Sequence, residues 1–311
     1  MSNERVHLRR RENIYLINHS GAPGGICCGP SRLAMFLTVV VRLRRLCFDD
    51  RWTYGKGVMK RILPRIVSAL ATSALVLPAG VARGAELKVF SSLAFTEAWQ
   101  DLKPKFEARG HKLNLVLAPS GMIAKRVSDG EAGDAIVNTT GSIDGLTKAG
   151  KVVAGTSKHV ASSGVGISVR KGARKPDIST PEALKQALLS AKAVAYSDPD
   201  GGGASGIHFA EVLRKLGIAD QINAKAKLGR GVPNGEAVAR GEADIAVQQI
   251  PELIPVAGTE FVGPLPREVQ KITEFSAAAL ATSREPKAVS ALIEFLTSPE
   301  TATLLKARGF E

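Results

Sequence analysis

The sequence predicts an α/β fold of mostly parallel sheets flanked by helices, and three observations lead to it. From Leu87 to the C-terminus, short apolar runs alternate with segments whose apolar residues recur every three or four positions. The links between them include Ser91-Ser92-Leu93-Ala94, Pro119-Ser120-Gly121 and Asn138-Thr139-Thr140-Gly141-Ser142, which read as strand-to-helix turns. The stretch from Tyr196 to Ile207 sets a run of glycines between an apolar run and a helix. Such a turn leaves backbone N–H groups unpaired at the positive end of the helix dipole, where anions are received.

In chain order, Leu87 to Phe90 is a buried strand, and Phe95, Ala98, Trp99, Leu102 and Phe106 share one face of a helix ending near Gly110. Leu113 to Leu117 is a strand, followed by a helix carrying Met122, Ile123 and Val127. Ala135 to Val137 is another strand, leading to a short helix from Ile143 to Lys148. Val165 to Val169 is extended, and Thr180 caps a helix with Pro181 at its first position. Ala193 to Tyr196 is a strand, and Phe209, Val212, Leu213 and Leu216 mark the helix after the glycine-rich turn. Lys225 to Leu228 and Asp244 to Gln248 are strands either side of a helix over 234–240, and Gly263-Pro264-Leu265-Pro266 is a loop. Phe275 to Ala281 is a strand, Val289, Leu292, Ile293 and Leu296 form a helical face, and Ser298-Pro299-Glu300 caps a last helix.

The 311 residues carry a formal charge of +13, which would suit a nucleic-acid binder if it were spread over the fold. It is not: residues 1–85 hold 14 Lys/Arg against 4 Asp/Glu, leaving 28 against 25 for the remainder. Aromatic residues make up only 5% and no basic stripe is interleaved with them after residue 85, so nucleic acid is excluded as a partner. Met59-Lys60-Arg61, with Arg65, opens a basic stretch, Ile66 to Leu77 is apolar, and small residues follow to Ala85. That is the layout of a secretory signal peptide over 59–84, with cleavage points after Gly84 and after Ala82, of which the first is preferred, and its apolar run is too short to span a bilayer. Translation is therefore expected to start at Met59, with residues 1–58 a mis-assigned, disordered extension. All three cysteines (Cys27, Cys28, Cys47) fall there, so the exported chain has no thiol to oxidise.

Five phrases in order, LKVFSSLAFTEAWQDLKPKFE, APSGMIAKRVSDGEAGDAIV, AYSDPDGGGASGIHFAEVLRKLGI, GEADIAVQQIPELIPVAG and LIEFLTSPETATLLKARGF, cover nearly all of residues 86–311. They resemble the periplasmic solute-binding proteins of the molybdate-binding group. The resemblance implies the type II two-lobe fold with two hinge crossings, residues 85–165 plus 279–311 forming one lobe and 166–278 the other. It further implies a periplasmic monomer that closes on a small oxyanion and presents it to an ABC permease, with no cofactor and no metal. The branch with SDPDGGGASG, the VQQ-x-PE phrase and VGPLP is also similar to aconitate isomerase, which uses the same fold.

In the molybdate-binding group, serine hydroxyls, backbone amides at helix starts and a tyrosine hydroxyl hold the anion. Transferred by position, the second-turn serine is Ser120 and the amides fall at Gly203, Ala204 and Ser205. The first-turn serine falls on Ala94, with Ser91 and Ser92 as substitutes, and the tyrosine falls on Gln248. For a tricarboxylate, Arg126, with Lys125 and Arg230 nearby, would supply bidentate pairing. His208 and Glu252 are the candidate bases for an allylic proton. Asp198 and Asp200 are expected to point away from an anion. The run Gly201 to Gly206 also fits the pattern of a dinucleotide turn, but Asp198-Pro199-Asp200 would repel a pyrophosphate, and the acidic residue expected on a following strand is missing.

Overall fold

The computed structural model describes residues 84–311. The expectations for the extension over 1–58, for the three cysteines and for the signal peptide, apart from Gly84, lie outside the described residues. The described chain runs β1 (Glu86–Ser92), α1 (Thr96–Glu107), β2 (Lys112–Ala118), α2 (Ser120–Ser128), β3 (Ala135–Thr139), α3 (Thr140–Lys148) and β4 (Lys158–Ser163). It continues through β5 (Val165–Arg170), α4 (Pro181–Ser190), β6 (Val194–Ser197), α5 (Ala204–Lys215), α6 (Ala219–Asn223), β7 (Ala226–Gly229), α7 (Gly235–Ala239) and β8 (Ile245–Gln249). The last elements are α8 (Ile250–Leu253), β9 (Thr259–Pro264), β10 (Thr273–Ala279), α9 (Pro286–Leu296) and α10 (Pro299–Ala307).

Two five-stranded sheets form two lobes, ordered β2-β1-β3-β10-β4 and β7-β6-β8-β5-β9. In each, one side is parallel (β1 with β2 and β3; β6 with β7 and β8) and the other antiparallel. The sheets are thus mixed where mostly parallel pairing was expected: the antiparallel ladders involve β4, β5, β9 and β10, the strands that flank the crossings between lobes. Both sheets bury both faces, as a strand's alternating side chains require when helices cover each side. In the first lobe Val89, Val137 and Ala277 pack with α1, α9 and α10, while Phe90, Ile136 and Ala278 pack with α2 and α3. Phe95, Phe275 and Phe310 close the first of these cores, with ring centroids 4.6 to 6.1 Å apart. In the second lobe Val194 and Tyr196 face α4 and α5, and Ala195 and Ala246 face α7 and α8.

Helix starts follow local chemistry. Thr180 accepts the Ala183 N–H with Pro181 at the first turn, and Ser298 accepts the Thr301 N–H. Four elements go beyond the sequence reading. The short α6 and α8 lack enough residues to show a period, and β4 has only Val160 and Ala161 as apolar residues. Gly263 and Pro264, expected in a loop, end strand β9 opposite Ile167 and Gly166. Proline is tolerated there because β9 is an edge strand, with no neighbour to receive the missing N–H.

The chain crosses between lobes at Gly164 and again over 265–272. β10, expected to carry the second crossing near residue 278, lies wholly in the first sheet. Gln270 ties the crossings together: its Oε1 accepts the Val165 N–H at 2.9 Å and its Nε2 donates to the Val165 carbonyl at 2.8 Å.

Candidate functional site

In an open α/β sheet, ligands bind beyond the carboxyl ends of the parallel strands, where helices begin. Here the ends of β1, β2, β6 and β8 converge from both lobes on a cavity of about 40 Å³. Ser92, Pro119, Ser120 and Phe275 line it from the first lobe. Ser197, Asp198, Gly203, Ala204, Ser205, Arg230, Gln248 and Glu252 are among those that line it from the second.

Ser92 and Ser120 meet at the first-lobe side of the cavity. Their hydroxyls lie 3.1 Å apart and both residues are buried. Ser120 starts α2, and its carbonyl accepts an N–H from the buried Asn138 side chain at 2.9 Å, which fixes the turn. Ser91 was the other expected substitute, but adjacent strand residues point to opposite faces. Its hydroxyl accepts from the Trp99 indole at 2.8 Å, inside the lobe core and outside the cavity lining.

From the second lobe, α5 begins at Ala204 with no side-chain cap, so its first amides are uncommitted within the helix. The helix comes this close to β6 because Gly206 has no Cβ: one there would meet the Ser197 carbonyl at 2.0 Å. Across the mouth of the cleft the lobes touch through backbone. The Gly121 N–H donates to the Gly202 carbonyl at 3.0 Å, and a Cβ on either glycine would meet the other's Cα at 2.9 Å.

A chain of polar side chains runs behind the second-lobe wall. Ser205 Oγ donates to Ser197 Oγ at 3.4 Å, and Asn234 Nδ2 donates to the same oxygen at 3.1 Å. The Asn234 backbone N–H donates to Gln248 Oε1 at 2.7 Å, and Gln248 Nε2 donates to Glu252 Oε2. Ser197 and Asn234 carried no signal in the sequence beyond being polar residues near turns; only the tertiary fold brings them here.

Asp198, Arg126 and His208 do not sit where the sequence placed them, while Arg230 and Glu252 do line the cavity. Asp198 lines the cavity rather than pointing away, and it is 5% exposed. Arg230 donates to it at 2.7 Å and holds its carboxyl below the usual range, with a further hydrogen bond from the Asp200 N–H. Arg230 itself lines the cavity. Arg126 does not: it pairs with Glu131 at 2.6 Å and lies over the Phe90 ring. Six residues beyond Ser120 in α2, it is about 9 Å along the helix from that serine. His208 is also outside the lining, its Nε2 2.8 Å from the carbonyl of Val269 in the second crossing.

Glu252 does line the cavity, and an adjoining groove of about 390 Å³ as well. It keeps partial exposure to these spaces but is otherwise enclosed, and this desolvation pushes its pKa up to about 7 despite the opposing hydrogen bond from Gln248. Among the described residues no three His, Cys, Asp or Glu side chains gather to hold a metal ion.

Comparison with known proteins accords with this architecture. The family model for bacterial extracellular solute-binding proteins matches residues 87–311. The chain belongs to that family. An aconitate isomerase from Pseudomonas sp is 33% identical to this solute-binding protein over 261 residues, 80% of this chain and 98% of the relative. The molybdate-binding protein ModA of Azotobacter vinelandii is 26% identical, covering 80% of this chain and 97% of that one. Among solved structures, the periplasmic molybdate-binding protein of Azotobacter vinelandii superposes with a TM-score of 0.62 at 19% identity, over 72% of this chain and 98% of the other. The two-lobe type II architecture expected from the sequence is thus the fold of this solute-binding protein.

Proposed function

We propose that this solute-binding protein is an extracytoplasmic, periplasmic enzyme of the aconitate isomerase kind, closing on a small polycarboxylate and moving an allylic proton. The observation that carries the reading is Glu252, a carboxyl that forms no salt bridge among the described residues, set in the wall of an anion cleft with its pKa pushed up to about 7. Such a group adds repulsion to a site built only for a dianion, whereas a base poised near the working pH suits proton transfer. One carboxylate of the substrate takes the Ser92, Ser120 and 203–205 donors, and Arg230 pairs with a second. Ionised Glu252 removes a proton from the methylene carbon, the double bond shifts, and the same proton returns to the former vinylic carbon. Atoms and electrons balance with no co-reactant. The 33% identity to an aconitate isomerase supports the same reading.

A second reading rests on the neutral seat: the Ser92–Ser120 pair and the α5 amides suit a tetrahedral oxyanion such as molybdate, and a cavity of about 40 Å³ favours a compact ligand. The protein would then deliver its ligand to an ABC permease. Ultraviolet absorbance of cis- or trans-aconitate, followed with time in the presence of the protein, separates the two. Interconversion supports the isomerase. No interconversion, with thermal stabilisation by molybdate or tungstate alone, supports the receptor.

A further inference from the structure

Gln248 occupies the place of a ligand-binding tyrosine by resemblance, yet its surroundings assign it different work. The residue is 2% exposed, and both polar ends of its amide are committed to partners within the second lobe. Its orientation is fixed chemically: the Asn234 backbone N–H can only donate, so the atom facing it is Oε1, and the NH₂ end must face Glu252. We propose that Gln248 is the positioning residue of Glu252, an amide clamped by Asn234 that fixes the Glu252 carboxyl in the cleft wall. The proposal rests on reading Glu252 as the proton carrier, and it adds the group that sets how that carboxyl is presented.

The chain of contacts explains why this geometry holds. Asn234 is itself anchored, its Nδ2 donating to Ser197 Oγ and to the Val247 carbonyl at 3.2 Å. Gly229 leaves room for it, since a Cβ there would meet Asn234 Oδ1 at 2.0 Å. One polar chain therefore links the α5 helix start, which receives the anion, to the carboxyl that carries the proton. Among the described residues Glu252 forms no ion pair. On the elements packed round α8, Glu97 and Asp101 of α1 pair with Arg308, Glu236 of α7 with Arg240, and Glu260 of β9 with Lys175. Asp198 in the shared cavity pairs with Arg230, and Arg170 sits at the far end of β5 from Gly166, the residue registered with Gln248. The Gln248 N–H is thus the contact that favours the ionised carboxyl, against burial that favours the neutral one.

The test is titration of Glu252 without ligand, by carboxyl ¹³C NMR of glutamate-labelled protein, the resonance being the one absent from Glu252→Gln. In Gln248→Met, which fills the space but cannot donate, the midpoint is expected to rise by about one pH unit or more. Gln248→Glu keeps an oxygen for the Asn234 N–H and is expected to split the titration into two coupled steps; it answers the question if the methionine variant does not fold. An unmoved midpoint, with anion affinity reduced, would overturn the proposal and make Gln248 a ligand donor. Absence of aconitate turnover speaks to the proposed function alone, because this titration needs no activity.

Discussion

The two lobes meet the same cavity with different chemistry. The first presents neutral groups, the paired hydroxyls of Ser92 and Ser120 with Pro119 and the Phe275 ring. The second adds charge to its uncapped helix start: Asp198 with Arg230, and Glu252 with Gln248. Hydroxyls and amides hold negative charge through placed dipoles and choose by shape, whereas an arginine and a carboxyl of raised pKa distinguish ligands by charge and by proton content. On the isomerase reading proposed above, the comparison teaches that the first lobe holds the anion and the second discriminates and reacts.

The largest effect should come from the second lobe. Glu252→Gln should lower aconitate isomerisation by about 10²- to 10⁴-fold, the usual contribution of a positioned base, with little change in substrate affinity. A first-lobe change should do the reverse. Ser120→Ala removes a donor to an anion, worth about 1.5–3 kcal/mol, so affinity measured by calorimetry should fall by roughly 10- to 100-fold. Ser92→Ala combined with it should cost less than the sum, because the two hydroxyls are in contact.

Between these stands a test of closure itself. Gly121→Ala puts a methyl against the Gly202 backbone, and overpacking of about 1–3 kcal/mol should weaken ligand binding by about 5- to 100-fold. Melting temperature of the free protein should not fall, since alanine suits the α2 helix better than glycine. Small-angle scattering should show a more open particle.

A further effect is on stability. Glu252 has a folded pKa of about 7 against 4.5 when exposed, so the native state binds more protons between those values. Stability to urea should therefore fall as pH rises from about 5 to 7, and Glu252→Gln should flatten that slope. The smallest effect belongs to Arg126, whose pairing with Glu131 lies outside the cavity: Arg126→Ala should leave ligand affinity unchanged by calorimetry.

The fold was legible because long elements carry their period. Phe95 to Phe106 and Val289 to Leu296 announce helices whose apolar faces are buried as expected. Of the cavity lining, Ser120 and the 203–205 turn could be found because a turn between strand and helix is a local signal. Ser91 and Ser92 could not be separated by residue type, only by the side of β1 each faces. Arg126 and His208 misled because residue type carries no direction: one lies near the far end of α2 and the other turns to the crossing segment. Asn234 and the role of Gln248 depend on contacts between β8 and the start of α7, 14 residues apart in sequence, and four-residue α8 is too short to declare itself.

The most direct test of the division between lobes is proton NMR of trans-aconitate in D₂O with the wild-type protein. Appearance of cis-aconitate is predicted, with the methylene protons of the pool exchanging for solvent deuterium wherever the Glu252 proton escapes before its return. Glu252→Gln should show neither while still binding the anion. Unchanged aconitate in the presence of wild-type protein that binds it would contradict the account, leaving both lobes as walls of a receptor.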